Sequence, residues 1–340
     1  MKVTAQWIAD QCGVSRGTVD RVVNGRANVA QDVRERVQKL VDEMGYQTPA
    51  QRQVEKAGKG AFRIGVILPS WDAFFIRRAR EGLRVAVQCR GLGEISMSVE
   101  ELSNRSHRAY FEAIARLEEH GIDGLIITAP DTVAMAEEID RLVGSGVPVV
   151  TCDSDVHESR RMYHVGQDMV KSGCVAAGLL APYVHGGEVL VVTGNREFNA
   201  HNLRVCGFLD RMHELYGDTV PTTVIESVER YDLTFDGVLQ HVRQNSRLRG
   251  IYMATESVRG CMDALSQAHP TRTLHVVCHD LTPATRRYLQ EGRLDFVIDQ
   301  DFSAQTTRAV EVLAHVLQTG EPPRQSIEYI HTSIITRELL

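Results

Sequence analysis

The sequence predicts a small all-α helix-turn-helix head joined to an α/β core of two parallel-sheet subdomains. Three observations carry this. Apolar residues recur at helical spacing around a glycine turn over residues 1–44. From Phe62 the pattern becomes strand-length apolar runs alternating with amphipathic stretches, as a parallel sheet covered on both faces requires. Charge is divided too: residues 1–60 hold ten Lys and Arg against seven Asp and Glu, and the remainder 28 against 37. An overall charge of −6 therefore conceals a basic head, net +3, on an acidic core, net −9.

In the head, Thr4 caps a first helix whose Ala5, Ile8, Ala9 and Cys12 form one buried stripe. Gly13 ends it, supplying the positive φ that a sharp turn needs. Val14 plugs the turn, and Ser15 caps a second helix with Thr18, Val19, Val22 and Val23 inside and Arg16, Gly17, Asp20 and Arg21 outside. Asn24 and Gly25 stop it. A third helix over Val29 to Met44 completes the mini-core. Such a pair of helices is either an αα-hairpin or a module that lays its second helix in the DNA major groove.

In the core, strands are expected at Arg63 to Leu68, Ile95 to Val99, Gly124 to Thr128, Val147 to Cys152, Glu188 to Thr193, Thr223 to Ser227, Gly250 to Ala254, Leu274 to Cys278 and Asp295 to Ile298. Helical stretches lie between them. Nine strands over this length fit two units better than one. Seven dispersed cysteines without a CxxC pair predict reduced core thiols. Apolar content of 43% is globular, and no run approaches the roughly 20 apolar residues of a membrane helix. With no signal-peptide pattern, the expected location is cytoplasmic and no membrane partner is expected.

Thr4, Ile8-Ala9, Gly13-Val14-Ser15, Thr18-Val19, Arg21-Val22, Asn24-Gly25, Val29, Arg34 to Val37 and Gly45-Tyr46 together resemble the head of the LacI/GalR family. Phe62 to Leu340 is similar to that family's periplasmic-binding-protein-like core. The resemblance implies a head over 1–48, a linker over 49–61 and a core over 62–340. The core's N-subdomain would be about 62–166 and 300–323, and its C-subdomain about 167–299 and 324–340, with a ligand between them. The chain would cross near Gly166, Gln300 and Arg324. In such heads a hinge helix wedges a leucine into the minor groove. Here QTPAQRQVEKAGKG departs from that pattern: Arg52 and Glu55 stand where a small residue and the leucine are expected. Either Val54 intercalates in a shifted register, or the operator is not kinked this way and the segment can be a plain solvated linker.

Parallel units bind ligands beyond the carboxyl ends of their strands. Carboxylates, amides and aromatics gather there, including Asp153-Ser154-Asp155, Gly194-Asn195, Thr255-Glu256, Asp280 and Asp299-Gln300-Asp301. A sugar needs carboxylates and amides for its hydroxyls and a ring for its C–H face. By its place in the family's motifs, Phe74 or Phe75 stacks, and Asp153, Arg204, Asp280 and Gln300 bond hydroxyls. Arg204 sits in Arg204-Val205-Cys206-Gly207-Phe208, which resembles the family's R-x-x-G-F. Ser154 and Glu256 depart from the ribose-type pattern and make the site more acidic, suiting a neutral sugar, polyol or amine; Asp155 and Glu256 complete the candidate effector-binding set. In the head, Arg16 is the candidate for reading guanine. Thr4, Ser15, Gly17, Thr18, Asp20, Arg21 and Asn24 complete the candidate DNA-contacting set.

The resemblance thus implies a ligand-responsive transcriptional regulator acting as a repressor. Its partners would be a near-palindromic operator, a small sugar or polyol effector, and a second copy of itself in a dimer or tetramer. An α/β enzyme and a sensor whose head does not bind DNA are the other classes. Against an enzyme, the chain carries no GxGxxG after a strand, Walker loop, GxSxG elbow or Cys/His nucleophile set. Its thirteen histidines have no zinc-ligand spacing, so neither metal nor cofactor is expected.

Overall fold

The computed structural model describes residues 4–23, 29–44, 46, 62–69, 73–88 and 95–340. The head holds α1 (Ala5–Cys12), α2 (Arg16–Val23) and α3 (Gln31–Glu43). Thr4 caps α1, its hydroxyl accepting from the Trp7 N–H at 3.1 Å. Gly13 takes φ 63°, and the Val14 N–H then closes the turn on the Ala9 carbonyl at 3.0 Å. Ser15 caps α2 through the Thr18 N–H at 3.1 Å. Ile8, Ala9, Cys12, Val19, Val22, Val37 and Val41 form the mini-core. Met44, expected on that buried face, lies just past α3 and is exposed.

The first sheet of the core contains β1 (Phe62–Pro69), β2 (Ile95–Leu102), β3 (Gly124–Ile127), β4 (Val149–Cys152), β5 (Tyr163–Gly166) and β11 (Ile327–Tyr329), in the order β11-β5-β4-β3-β1-β2. All its pairings are parallel. Helices α4 (Ala73–Gln88), α5 (His107–Glu119), α6 (Val133–Ser145) and α12 (Phe302–Thr319) belong to this lobe. Apolar clusters fill both faces of the sheet, one under α4 and α12 and one under α5 and α6.

The second sheet has β6 (Glu188–Thr193), β7 (Thr222–Glu226), β8 (Leu248–Met253), β9 (His275–His279), β10 (Phe296–Gln300) and β12 (Thr332–Ile335), in the order β12-β10-β9-β8-β6-β7. Only β12 runs antiparallel. Its helices are α7 (Met169–Val184), α8 (Asn199–Tyr216), α9 (Tyr231–Gln244), α10 (Val258–Ala268) and α11 (Pro283–Gln290). In each sheet the order reverses at one strand, β1 or β6, which opens the crevice where α/β sheets bind ligands. Cys12, Cys152, Cys261 and Cys278 are buried free thiols.

The chain passes between the lobes after β5, after β10, and between β11 and β12. The third passage corrects the expected boundary at Arg324. Ile327↔His164 and Tyr329↔Gly166 pair β11 with β5, so residues up to 329 belong to the first lobe. A three-residue, half-buried strand has no periodicity to betray it.

Candidate ligand-binding cleft and nucleic-acid interface

Asp153 and Asp280 occupy equivalent places in the two lobes, one residue past β4 and one past β9. Both have left-handed backbone, φ 64° and 69°. Each donates its N–H to the neighbouring strand, Asp153 to Val165 and Asp280 to Ile298, both at 2.9 Å. A non-glycine residue held at positive φ is strained, and such strain concentrates at functional sites. These two bends bring their carboxylates to one chamber with Phe75, Ser154, Phe198, His201, Arg204, Glu229, Glu256 and Gln300.

Burial pushes the Asp280 carboxyl up to about 6, although Arg204 pulls it down. Burial likewise raises Asp153, opposed first by Arg204. Gln300 donates to Asp280 Oδ1 at 3.0 Å and is itself oriented by the Gln305 amide, which donates to Gln300 Oε1 at 2.9 Å. Arg204 is buried, with Nη2 bonded to Gln167 Oε1 at 3.3 Å. Its Nε and the Ser154 hydroxyl are buried and make no hydrogen bond within the described residues. Buried polar groups are nearly always paired, and these two line the chamber.

Phe75 from α4 and Phe198 from the loop before α8 place one aromatic ring from each lobe at the chamber. Phe74 does not line it and packs against the first lobe's core instead. Asp155 is the other correction. Its oxygens bond Arg161 at 2.5 Å each, and Thr151 donates to it at 2.7 Å. This carboxylate is spent on tying β4, through Thr151, to Arg161 in the loop before β5, and the ion pair is buried.

His201, Glu229 and Phe198 were not anticipated. Glu229 Oε1 receives His201 Nε2 and the Asn195 N–H, each at 2.9 Å, and Oε2 receives Arg105 from the first lobe at 2.8 Å. Burial works to raise this carboxyl, but the His201 bond, with Asn195 and Arg105, holds it at about 2. A Cβ at Gly194 would lie 2.1 Å from Glu229 Oε1, so a larger residue there would push this side chain aside. A second bond between lobes joins the Asp131 N–H to the Glu197 carbonyl at 2.7 Å. The lobes are thus latched, and the chamber keeps about 40 Å³ of free space, enough for water and less than a sugar ring.

In the head, Arg16, Gly17, Asp20 and Arg21 form the exposed side of α2. Thr4 and Ser15 are engaged as caps, and the Ser15 and Thr18 hydroxyls share a bond of 2.9 Å. Arg16 Nη2 reaches the Gly144 carbonyl in α6 at 3.3 Å. The Asn24, Arg52 and Val54 assignments lie outside the described residues.

A helix-turn-helix head on a two-lobed cleft defines a ligand-responsive DNA-binding regulator. Residues 64–322 match the periplasmic binding protein domain and residues 5–49 the lacI family of bacterial regulatory proteins. The chain belongs to the periplasmic binding protein domain family and carries the head of the lacI-family regulators. It is 23% identical over 259 residues to catabolite control protein A of Priestia megaterium, covering 76% of this chain and 75% of that protein. It is 24% identical over 234 residues to the HTH-type transcriptional regulator reg1 of Streptomyces lividans, covering 68% and 65%. GanP, a glucose-galactose binding protein from Geobacillus stearothermophilus, superposes with a TM-score of 0.75 at 20% identity, covering 82% of this chain and 99% of GanP. That likeness shows a shared fold.

Proposed function

We propose that the chain is a cytoplasmic repressor whose affinity for a near-palindromic operator is set by a neutral sugar or polyol held between its lobes. The observation that carries this is the chamber's composition. One phenyl ring from each lobe, two buried carboxylates, an oriented amide and a guanidinium with an unpaired Nε suit the C–H faces and vicinal hydroxyls of a carbohydrate. The fold shared with a glucose-galactose binding protein agrees with it. Asp153, Asp280, Glu229 and Glu256 together disfavour a phosphorylated ligand. Two copies would present two recognition helices to the two half-sites of one operator.

The test is a thermal-shift screen of the full chain against sugars, polyols and amines, followed by an operator mobility shift with and without the hit. A sugar at a hundred times its Kd should stabilise the protein by about 2.7 kcal/mol. Operator affinity should change with the sugar and fall steeply with salt as phosphate contacts are lost. A screen in which no sugar or polyol shifts the melting temperature would remove the proposal.

A further inference from the structure

Outside the latched chamber the cleft opens into a groove of about 930 Å³ that a ligand confined to the chamber would never touch. Glu229 and Glu256 line both spaces, so the groove continues the chamber outward. We propose that this groove is an outer subsite for the second unit of an extended neutral glycan, a disaccharide or glycoside whose first ring fills the chamber. This rests on the chamber holding a sugar ring.

The lining matches that chemistry. Tyr231 presents its ring at the groove with 47% of the residue exposed. Its hydroxyl donates to Asp263 at 2.9 Å, and the ring stacks on Phe235 with centroids 6.0 Å apart and planes 18° off parallel. Arg259 lies over the same ring, its Cζ 5.8 Å from the centroid, so the half-exposed ring and the guanidinium together offer a fixed surface to a sugar's C–H groups and hydroxyls at little entropic cost. The Asn104 and Asn195 carbonyl oxygens are held by the Ser106 and Glu197 N–H groups, each at 2.9 Å. The fixed amides keep their amino groups as donors for hydroxyls. Two cations, Arg105 and Arg259, face two anions, Glu229 and Glu256, so the groove has no net charge to offer a phosphate or carboxylate. The lobes contribute jointly: Ser103, Asn104 and Arg105 come from the first, and the rest from the second. A glycan spanning both spaces would therefore touch both lobes beyond the latch.

Binding is measured calorimetrically on the full chain with matched probes: glucose with maltose and cellobiose, galactose with lactose, and xylose with xylobiose. At least one disaccharide should bind about tenfold or more tighter than its monosaccharide. Tyr231→Ala and Asn104→Ala should erase that gain and leave monosaccharide affinity unchanged, while Tyr231→Phe, which keeps the ring, should retain it. If Tyr231→Ala also loses the monosaccharide through misfolding, Asn104→Ala and Tyr231→Phe decide. Monosaccharide binding without any disaccharide gain, or a gain that survives Asn104→Ala and the ring's removal, overturns the outer subsite and leaves the chamber assignment standing. Failure of every probe, single or double, overturns both.

Discussion

Asp280 is a carboxylate the fold tolerates at a cost. Its buried carboxyl titrates at about 6 against an ordinary 3.8, so the folded protein holds this proton more tightly than the unfolded chain. The sign follows directly. Stability falls as pH rises through the window from about 3.8 to about 6, and the loss is complete and constant above it, on the order of 3 kcal/mol. Asp280→Asn should therefore raise the ligand-free melting temperature at pH 7.5, with the advantage shrinking towards pH 4. Its amide oxygen still accepts from Gln300. The same variant should bind the sugar at least tenfold more weakly, because a charge-assisted acceptor has become neutral. Melting curves and ligand titrations at pH 4, 5, 6 and 7.5 check both, and a variant less stable than the parent at pH 7.5 contradicts the assignment. In the head, Arg16 stands at the exposed start of α2 and can leave the Gly144 carbonyl for a base edge. Arg16→Ala should weaken operator binding and relax preference at one position of each half-site, costing about 1–3 kcal/mol. Binding-site selection with both proteins tests this; identical preferences would remove Arg16 from the reading role. Asp153, Arg204, Asp280 and Gln300 were legible because each follows a strand or sits in a recognisable motif. Glu229 was not, since it lies in a loop at φ 57°, and only folding brings Arg105 to it from 124 residues away. Asp155 is a different case: Arg161, six residues on, is a pairing partner that the sequence offers, and the structure joins the two in a buried ion pair.

Helices α7 and α8 set the position of Arg204 through a reciprocal close approach. A Cβ on Gly207 would lie 2.0 Å from the Val170 carbonyl oxygen, and one on Gly173 would lie 2.1 Å from that of Arg204. These neighbours are backbone and cannot rotate away, so the helices must part to admit a methyl group. Gly178, on the exposed side of α7, has nothing within 4 Å of the same position. The two glycines thus predict opposite outcomes. Gly207→Ala should destabilise the core by about 2 kcal/mol or more and weaken sugar binding, since Arg204 lies one turn away. Gly178→Ala should stabilise it by about 0.5–1 kcal/mol through helix propensity alone. Urea unfolding of the two variants compares them, and a shared direction would contradict the packing account. Long elements such as α8 and α12 were legible from their periodicity, and the strand–helix alternation established the fold class. β5, β11 and β12 were not: they are as short as β3 and β4 but, as YHVG, IEY and TSII, lie in no apolar run of strand length, and their status comes from pairing with neighbours distant in sequence.

At the scale of the whole molecule, two bonds between the lobes hold the cleft shut, and a ligand bound between the lobes would be linked to them. Arg105 reaches Glu229, and the Asp131 N–H reaches the Glu197 carbonyl, each across the two lobes. Arg204, inside the chamber, is joined through Gln167 to Thr332 at 3.0 Å. Gln167 follows β5 on the first passage and Thr332 opens β12 just after the third, so Arg204 is tied to the segments that join the lobes. A ligand shifts an equilibrium only by its different affinity for the two states, and weakening the latch shifts it the other way. Arg105→Ala should lower the closed fraction and reduce apparent sugar affinity by that fraction, about tenfold if the pair contributes on the order of 1.4 kcal/mol. His201 and the Asn195 N–H still hold Glu229, which spares the fold the full cost of an unpaired buried charge. The consequence for DNA carries a definite relative sign. If the sugar lowers operator affinity by closing the cleft, ligand-free Arg105→Ala must bind the operator more tightly than the parent. If the sugar raises it, the variant must bind more weakly. Fluorescence anisotropy on one operator fragment, with parent and variant and with and without sugar, measures all four states. A variant that moves operator affinity in the same direction as the sugar would show that closure is not what the head senses.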